Sequence, residues 1–262
     1  MASEIRSYWK NGVLNFWDTI GDTTWRQDLW ANCPIQAIKC DPSLAHVFFT
    51  DFFEHTDGDS FTKAVHPAGA PTGTTGITAG IGGQYYTYCD SDDNDEFYEV
   101  SDGESWLFAE GKKLWFEVKY ACTEGATNVA NYVFGLADAA GENFMVDNGA
   151  GPAATYDGAV FYKVDATMNI YFESSNAAVP STATTMKTTC VSGTAYRLGF
   201  YYDGAPTTGV ITPYIDGVAK TATSITNAGL AEMELFFGMK SGSAAATEEY
   251  LVVDWIKCVQ LR

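Results

Sequence analysis

Positive charge is scarce in this sequence. Its 262 residues contain 15 lysines and arginines against 33 aspartates and glutamates, which gives a formal net charge of −18. A protein that binds nucleic acid needs clustered cations to neutralise phosphates, and an anionic membrane surface likewise attracts basic segments. The composition therefore excludes nucleic acid as a partner and argues against a membrane surface.

Long apolar runs are missing too. No stretch of about 18 apolar residues occurs, so no membrane-spanning helix is predicted. The first residues, "MASEIRSYWKNGVLNFW", do not combine a basic segment with an apolar one, and the chain has no N-x-[ST] glycosylation site. We therefore expect synthesis in a cytoplasm without export through a secretory signal.

Metal-binding patterns are also absent. The six cysteines are widely spaced without a CxxC pair, and the three histidines lie between residues 46 and 66 without a recognised ligand spacing. Cys122 and Cys258 lie in apolar strand-like runs and are predicted to be buried thiols. Cys33 and Cys40 could close a small loop, although a reducing compartment favours free thiols. We expect no metal and no cofactor.

Catalytic motifs are equally hard to find. The sequence has no G-x-S-x-G, no HExxH and no phosphate-binding loop. It also lacks E-x-D-x-x-E and E-x-D-x-E, the strings that would present two carboxylates to a glycosidic bond. Glu232 and Glu234 lack the intervening aspartate, and Glu117 beside Lys119 is best explained as part of an exposed charged face. No catalytic residue is predicted.

One segment, "CDSDDNDEFYEVSDGES", carries eight carboxylates. Asp90, Asp92 and Asn94 follow the spacing that begins an EF-hand loop. Asp95 then stands where that loop needs glycine, and Ser101 stands where it needs glutamate. We expect an exposed acidic turn that leads into the strand "EFYEV"; a calcium loop of another type is the alternative.

What the sequence does contain is a dense pattern of strands. In "LWFEVKY", the even-numbered residues from Leu114 to Tyr120 share one face and the odd-numbered ones, including Glu117, share the other. In "EMELFFGMK", the odd-numbered residues from Met233 to Met239 likewise form one apolar face. Ten or more such segments with short turns predict an all-β fold, a two-sheet antiparallel β-sandwich or jelly roll.

Turn signals separate these strands. The dipeptide Asp-Gly occurs at 157–158, 203–204 and 216–217, and "YIDGVAK" is typical of a hairpin. Residues 64–84 are rich in Gly, Ala, Thr and Pro and are flanked by strand-like segments. We therefore interpret them as a crossover within the sandwich and not as a linker between domains.

Residues 1–45 differ from the rest because they are rich in tryptophan. Their aromatic side chains either pack onto the main domain or bind a partner or another subunit, where tryptophan is often an energetic hot spot. The two interpretations carry equal weight. The predicted partner-binding residues are Trp9, Phe16, Trp17, Trp25 and Trp30.

The order of motifs over residues 46–262 resembles a known family. "HVFFTDFFE", "LFAEGKKLWFEVKY", "YVFGLADA", "YIDGVAK" and "ELFFGMKSGSAAATEEYLVVDWIKCVQLR" are similar, in this order, to the concanavalin-A-like (laminin-G-like) jelly roll of tailed-phage virion proteins. Each motif alone is weakly specific, and the N-terminal arm (residues 1–45) lies outside the resemblance. This fold carries many unrelated functions.

The resemblance implies a non-enzymatic virion structural protein, such as a capsid decoration, cement or fibre-like subunit made in the host cytoplasm. Its partners would be the major capsid protein or other virion subunits, and a homo-oligomer such as a trimer would suit a symmetric lattice. The alternative is a carbohydrate-binding, lectin-like module, and a glycoside hydrolase or lyase comes third. The tyrosines available to stack on sugars are Tyr85, Tyr86, Tyr88, Tyr201 and Tyr202.

Overall fold

The computed structural model describes most of the chain. For residues 5–10 and 13–18 it describes the backbone of two paired strands, β1 (Ile5–Lys10) and β2 (Val13–Asp18). The other residues described are 29–53, 60–66, 75–78, 83–89, 93–126, 128–147, 149–177, 179–242 and 249–262.

Two antiparallel sheets face each other across these residues. The strands of the eight-stranded sheet are β4 (Phe61–His66), β7 (Glu96–Ser101), β9 (Ala130–Ala137), β12 (Gly158–Lys163), β13 (Ile170–Asn176), β14 (Val179–Pro180), β15 (Thr184–Lys187) and β20 (Glu234–Ser241). Those of the nine-stranded sheet are β3 (Ala45–Thr50), β5 (Thr75–Thr78), β6 (Gln84–Cys89), β8 (Leu114–Thr123), β16 (Ala195–Tyr202), β17 (Thr208–Ile215), β18 (Val218–Ala219), β19 (Thr223–Thr226) and β21 (Glu249–Leu261). The predicted two-sheet antiparallel β-sandwich is confirmed.

Hydrogen bonding sets the order of the strands within each sheet. The eight-stranded sheet has the order β14-β13-β12-β9-β20-β7-β4, and β15 also pairs with β13. The nine-stranded sheet has the order β18-β17-β16-β8-β21-β6-β5, and in addition β19 pairs with β17 and β3 pairs with β21. A short ribbon is formed by β10 (Met145–Val146) and β11 (Gly151–Pro152), and the single α-helix among the described residues is α1 (Ile35–Cys40).

The core lies between the sheets and follows the predicted alternation. The even-numbered residues of β8 from Leu114 to Tyr120 are all at most 1% exposed and belong to this core. On β20 and just before it, the odd-numbered residues from Met233 to Met239 do the same. Aromatic rings pack edge to face here, for example Phe61 with Phe237 at 5.5 Å between centroids.

The predicted crossover and hairpin are both present. Of the segment 64–84, residues 67–74 and 79–82 lie outside the described residues. Its described strands are the end of β4 in the eight-stranded sheet and β5 in the nine-stranded sheet, so the segment connects the two layers of one sandwich. The hairpin of β17 and β18 turns at Asp216 and Gly217, whose φ angles are 50° and 78°. Two consecutive positive φ values are what a tight hairpin turn requires, and Asp-Gly adopts them readily.

The outer face of the eight-stranded sheet is covered by the connection between β9 and β12. Phe144 and Tyr156 of this connection pack with Phe236 of the sheet, at ring distances of 4.7 Å from Phe144 to Phe236 and 5.2 Å from Phe144 to Tyr156. Beside them, the backbone N–H of Asn143 donates to Glu96 at 2.6 Å. We call this surface the covered face.

Residues 29–45 cover part of the other outer face. Leu29 and Ile38 pack with Trp115 and Val259 of the nine-stranded sheet, and all four are less than a tenth exposed. Gly199 makes this approach feasible, since a Cβ there would lie 2.5 Å from Leu29 Cδ2. Part of the N-terminal arm is therefore packed onto the sandwich.

The acidic segment is less exposed than predicted. Asp95, Glu96 and Glu99 are at most 3% exposed, so the expectation of a solvated turn was wrong for Asp95. Glu99 accepts a hydrogen bond from the Tyr85 hydroxyl in the core. Residues 90–92, which include two of the proposed calcium ligands, lie outside the described residues.

The six cysteines are free thiols. Cys122 and Cys258 are buried, as predicted, and burial raises the pKa of both thiols well above the usual value. Cys33 is partly buried beside α1, which raises its pKa to about 11, and Cys40 is exposed.

Candidate functional site

A β-bulge in β21 shapes the part of the nine-stranded sheet that residues 29–45 leave uncovered. Val253 pairs with Tyr120 of β8 and Trp255 pairs with Lys119, so Asp254 is an additional residue without a partner in this register. A bulge of this kind redirects side chains locally. Trp255 lies across from Lys119 on the outer face, and Asp254 Oδ2 lies 2.6 Å from Lys119 Nζ. Two consecutive residues thus present an indole and a carboxylate on the same side.

Three tyrosines continue this surface along β6 and β21. Tyr85 and Cys89 of β6 point into the core, so Tyr86 and Tyr88 point outward. Tyr88 stacks on Tyr250 with 5.4 Å between the ring centroids and 27° between the planes. Gly76 of the edge strand lies under Tyr86, because a Cβ at Gly76 would be 3.4 Å from Tyr86 Cε1.

We call this surface the β6–β21 face. Its members are each partly exposed, and they are Tyr86, Tyr88, Tyr250, Asp254, Trp255, Lys119 and Arg197. Arg197, Lys119 and Trp255 form one cross-strand row over β16, β8 and β21. Directly opposed side chains in such a row lie about 4.5–5.5 Å apart. The face therefore combines flat aromatic rings with both signs of charge in a fixed arrangement.

The adjoining charges are tied down by contacts within the chain. Glu117 is 4% exposed; its Oε2 accepts a 2.6 Å hydrogen bond from Trp30 Nε1, and its Oε1 lies 3.6 Å from Arg197. The Lys257 ammonium lies 4.0 Å from the centre of the Trp30 ring. The expectation that Glu117 lies on an exposed face was therefore wrong, because Trp30 packs over it.

This contact also places one of the five predicted partner-binding residues. Trp30 packs on the nine-stranded sheet of the same chain, where it contacts Glu117 and Lys257. Trp9, Phe16 and Trp17 lie in β1 and β2, for which the structure describes the backbone, and Trp25 lies outside the described residues. Partner binding by the arm stays a prediction.

A buried glutamate on the covered face is held by two tyrosines. Glu173 accepts hydrogen bonds from the hydroxyls of Tyr156 and Tyr162, each at 3.0 Å, and burial raises the pKa of this carboxyl. A glycosidase needs a second carboxylate about 5–10 Å away. The residues in the same cross-strand row are Val160, Gly135, Phe236 and Val100. Glu173 therefore has no carboxylate neighbour in its row, and its role is to hold two tyrosines.

A second group of buried charges lies between the sheets at one end. Lys163 Nζ is 2.5 Å from Glu124 Oε1 and donates to the Ala130 carbonyl at 2.9 Å. Glu249 is fully buried, and neither of its carboxylate oxygens has a hydrogen-bond partner among the described residues. Burial and the nearby charge of Glu124 raise the pKa of Glu249 to about 8. Lys163 and Glu124 thus form an internal ion pair, and the raised pKa of Glu249 beside them favours its neutral form.

Two further properties concern metals and membranes. Among the described residues, no three histidine, cysteine, aspartate or glutamate side chains are grouped so that they could hold a metal ion. The same part of the chain contains no helix of the length and apolarity needed to cross a membrane.

Comparison with known proteins identifies the fold. No protein-family model matches the chain, and no curated protein sequence matches it. A protein of unknown function from Shewanella oneidensis MR-1 is 15% identical, with a TM-score of 0.53, over 87% of this chain and 94% of that one. Peanut lectin is 14% identical, with a TM-score of 0.54, over 83% and 98%. Arcelin-5, a lectin-like defence protein from Phaseolus vulgaris, is 13% identical, with a TM-score of 0.54, over 84% and 100%.

These similarities establish a lectin-like, concanavalin-A-like jelly roll. At such identities they speak for the fold and not for a ligand. They give no support to the virion role, so that role and its capsid partners stay predictions.

The sequence suggested five tyrosines for sugar stacking but did not separate outward-facing ones from core ones. Of the five tyrosines proposed for sugar stacking, Tyr85 and Tyr202 point into the core, whereas Tyr86, Tyr88 and Tyr201 point outward. The period-two pattern of "QYYTYC" and "YRLGFYY" contains that division. The sequence did not single out Asp254 and Trp255, because a bulge leaves no clear mark in "LVVDWIK".

Proposed function

We propose that the protein is a carbohydrate-binding module that holds a glycan on the β6–β21 face. The fold it shares with lectins makes this class the first to consider, and the alternative of a lectin-like module was already open from the sequence. The observation that carries the proposal is the bulge in β21, which sets Asp254 and Trp255 side by side on the outer surface.

The chemistry of this face suits a sugar ring. One side of a pyranose is a sheet of C–H groups that packs on a flat aromatic surface, and its hydroxyls both donate and accept hydrogen bonds. Trp255 and Tyr86 supply the flat surfaces. Asp254 supplies acceptors, while Lys119 and Arg197 supply donors, and hydrogen bonds to charged groups are about twice as strong as neutral ones.

The local charge of the β6–β21 face favours neutral glycans. The chain as a whole carries −18, but this face pairs Lys119 with Asp254 and Arg197 with Glu117. Those two pairs make it locally close to neutral. We therefore expect neutral polysaccharides to bind in preference to strongly acidic ones, which the remaining surface repels.

Native gels containing soluble polysaccharides test the proposal directly, since a protein with a pI near 4.3 migrates rapidly and retardation is easily seen. We expect at least one neutral polysaccharide to retard the protein, and Trp255→Ala to restore free migration. Tyr171→Ala is the matched control, because Tyr171 is a partly exposed tyrosine stacked on Tyr162 at 5.4 Å on the opposite sheet. Migration unaffected by a broad polysaccharide panel, together with no signal on a glycan array, would rule out the proposal.

A further inference from the structure

A cavity opens at the edge of the sandwich, and the strands that line it lie far from the β6–β21 face in the strand order. One wall is the end of β13 with β14, and the other is β19 with the turn that follows it. Its volume is about 470 Å³. Small-molecule sites in proteins usually measure about 300–1,000 Å³, so the cavity can hold a small ligand. We call it the edge groove.

The lining of the edge groove is uncharged although the chain is rich in carboxylates. None of its lining residues is ionisable. Four of the lining residues carry a hydroxyl and one carries an amide, and Ile225 and Pro180 add apolar lining. The hydroxyl and amide residues are Ser174, Ser181, Ser224, Thr226 and Asn176. Hydroxyls donate and accept equally well, which matches a ligand whose own groups do both.

Polar contacts, two of them part-buried, join the two walls of the edge groove. Asn176 Nδ2 donates to the carbonyls of Thr226, at 2.5 Å, and Ala228, at 3.2 Å. Asp157 is 6% exposed, and its carboxylate accepts from the backbone N–H of Ala177 at 2.5 Å and of Ala231 at 2.8 Å. The Asn176 amide thus joins β13 to β19, and the Asp157 carboxylate joins the segments that follow these two strands. A ligand would therefore meet a preformed cavity and lose little free energy in ordering it.

We infer that the edge groove is a second binding site, for an uncharged polyhydroxylated ligand the size of one sugar unit. The volume, the absence of ionisable lining residues and the density of hydroxyls support this ligand class. The inference shares its ligand class with the proposed function and rests on different residues. The two sites lie on separate parts of the sandwich and can succeed or fail independently.

Amide chemical shifts followed during titration with sugars locate the site. The probes are glucose, galactose, mannose and N-acetylglucosamine, with glucuronic acid as the charged comparator. We expect at least one neutral sugar to give saturable shifts in 174–181 and 224–228, and glucuronic acid to give weaker ones. Ser224→Phe fills the groove and should weaken binding at least tenfold, whereas Thr221→Phe, an exposed change outside the lining, should leave it unchanged.

Two more variants keep the outcomes distinct. Ser224→Ala removes one hydroxyl without adding bulk and should weaken binding about threefold, the equivalent of one net hydrogen bond. Trp255→Ala should leave the groove shifts intact. Saturable shifts confined to the β6–β21 face would support the proposed function and overturn the groove, and no saturable shift in the groove up to about 50 mM of any neutral sugar would overturn it as well.

Discussion

The two outer faces of this sandwich differ in how far their side chains are covered by other parts of the chain. On the covered face, Phe144 and Tyr156 pack over the eight-stranded sheet. The buried carboxylates there accept hydrogen bonds from the same chain: Glu173 from a tyrosine hydroxyl and Glu96 from a backbone N–H. The β6–β21 face leaves Trp255, Asp254 and Lys119 partly exposed. Both faces carry a stacked tyrosine pair with a centroid distance of 5.4 Å.

This comparison teaches that an aromatic pair is not a binding site by itself. Tyr162 donates to Glu173 and is 7% exposed, and the Tyr171 hydroxyl accepts from Asn169 at 2.8 Å, so that pair is part of the packing. What distinguishes the β6–β21 face is the bulge, which adds an indole and a carboxylate beside its own pair. Substitutions on the two faces should therefore separate a face that stabilises the fold from a face that binds glycan.

The largest expected effect is on the covered face. Phe144→Ala should lower the free energy of unfolding by about 3–5 kcal/mol, because it leaves a cavity among buried aromatic rings. Trp255→Ala, at a partly exposed position, should cost about 1 kcal/mol. Urea denaturation measures both. Equal losses would mean that the β6–β21 face is also built for packing.

The buried charges between the two sheets, and Glu249 among them, should set the pH dependence of stability. The pKa of Glu249 is raised from 4.5 to about 8, so its contribution is fully present below pH 4.5 and is lost as the pH rises through 8. Between pH 6 and pH 8 the free energy of unfolding should fall by about 2 kcal/mol from this group. Glu249→Gln keeps the shape without the titration, and urea denaturation across this pH range should show a flatter profile. A slope identical to that of the wild type would contradict the assignment.

The part of the nine-stranded sheet under residues 29–45 should behave as packing. Trp30→Phe keeps an aromatic ring near Lys257 and removes the N–H that donates a hydrogen bond to Glu117. We expect a loss of about 1–2 kcal/mol, since the carboxylate is buried. Thermal unfolding provides the measurement, and a glycan affinity equal to that of the wild type is expected in the same variant. A selective loss of binding would instead extend the site over Trp30.

The smallest effect on stability should come from the ion pair of the β6–β21 face. Lys119 and Asp254 have side chains that are 40% and 21% exposed, so Asp254→Asn should change the free energy of unfolding by less than about 1 kcal/mol, and less still at high salt. Glycan affinity should nevertheless fall about fivefold, because a charged acceptor becomes a neutral one. Parallel denaturation and binding curves at low and high salt make the test.

The sequence specified much of the fold and little of the site. Alternation in β8 and β20 predicted which residues enter the core, and Asp-Gly predicted the β17–β18 turn. The burial of Lys163 and Glu249 could not be foreseen, since it depends on which strand ends meet between the sheets. The bulge at Asp254 was hidden for a similar reason, because a one-residue shift of register depends on the partner strand as well as on the bulged one.

The central claim is that the β6–β21 face binds glycan, and calorimetric titration with the best-retarding polysaccharide tests it most directly. Trp255→Ala and Tyr171→Ala are compared at equal protein concentration and verified folding. We predict that Trp255→Ala weakens binding at least tenfold, about 1.4 kcal/mol, and that Tyr171→Ala stays within twofold of the wild type. Equal affinity of the two variants, or a larger loss in Tyr171→Ala, would contradict the account.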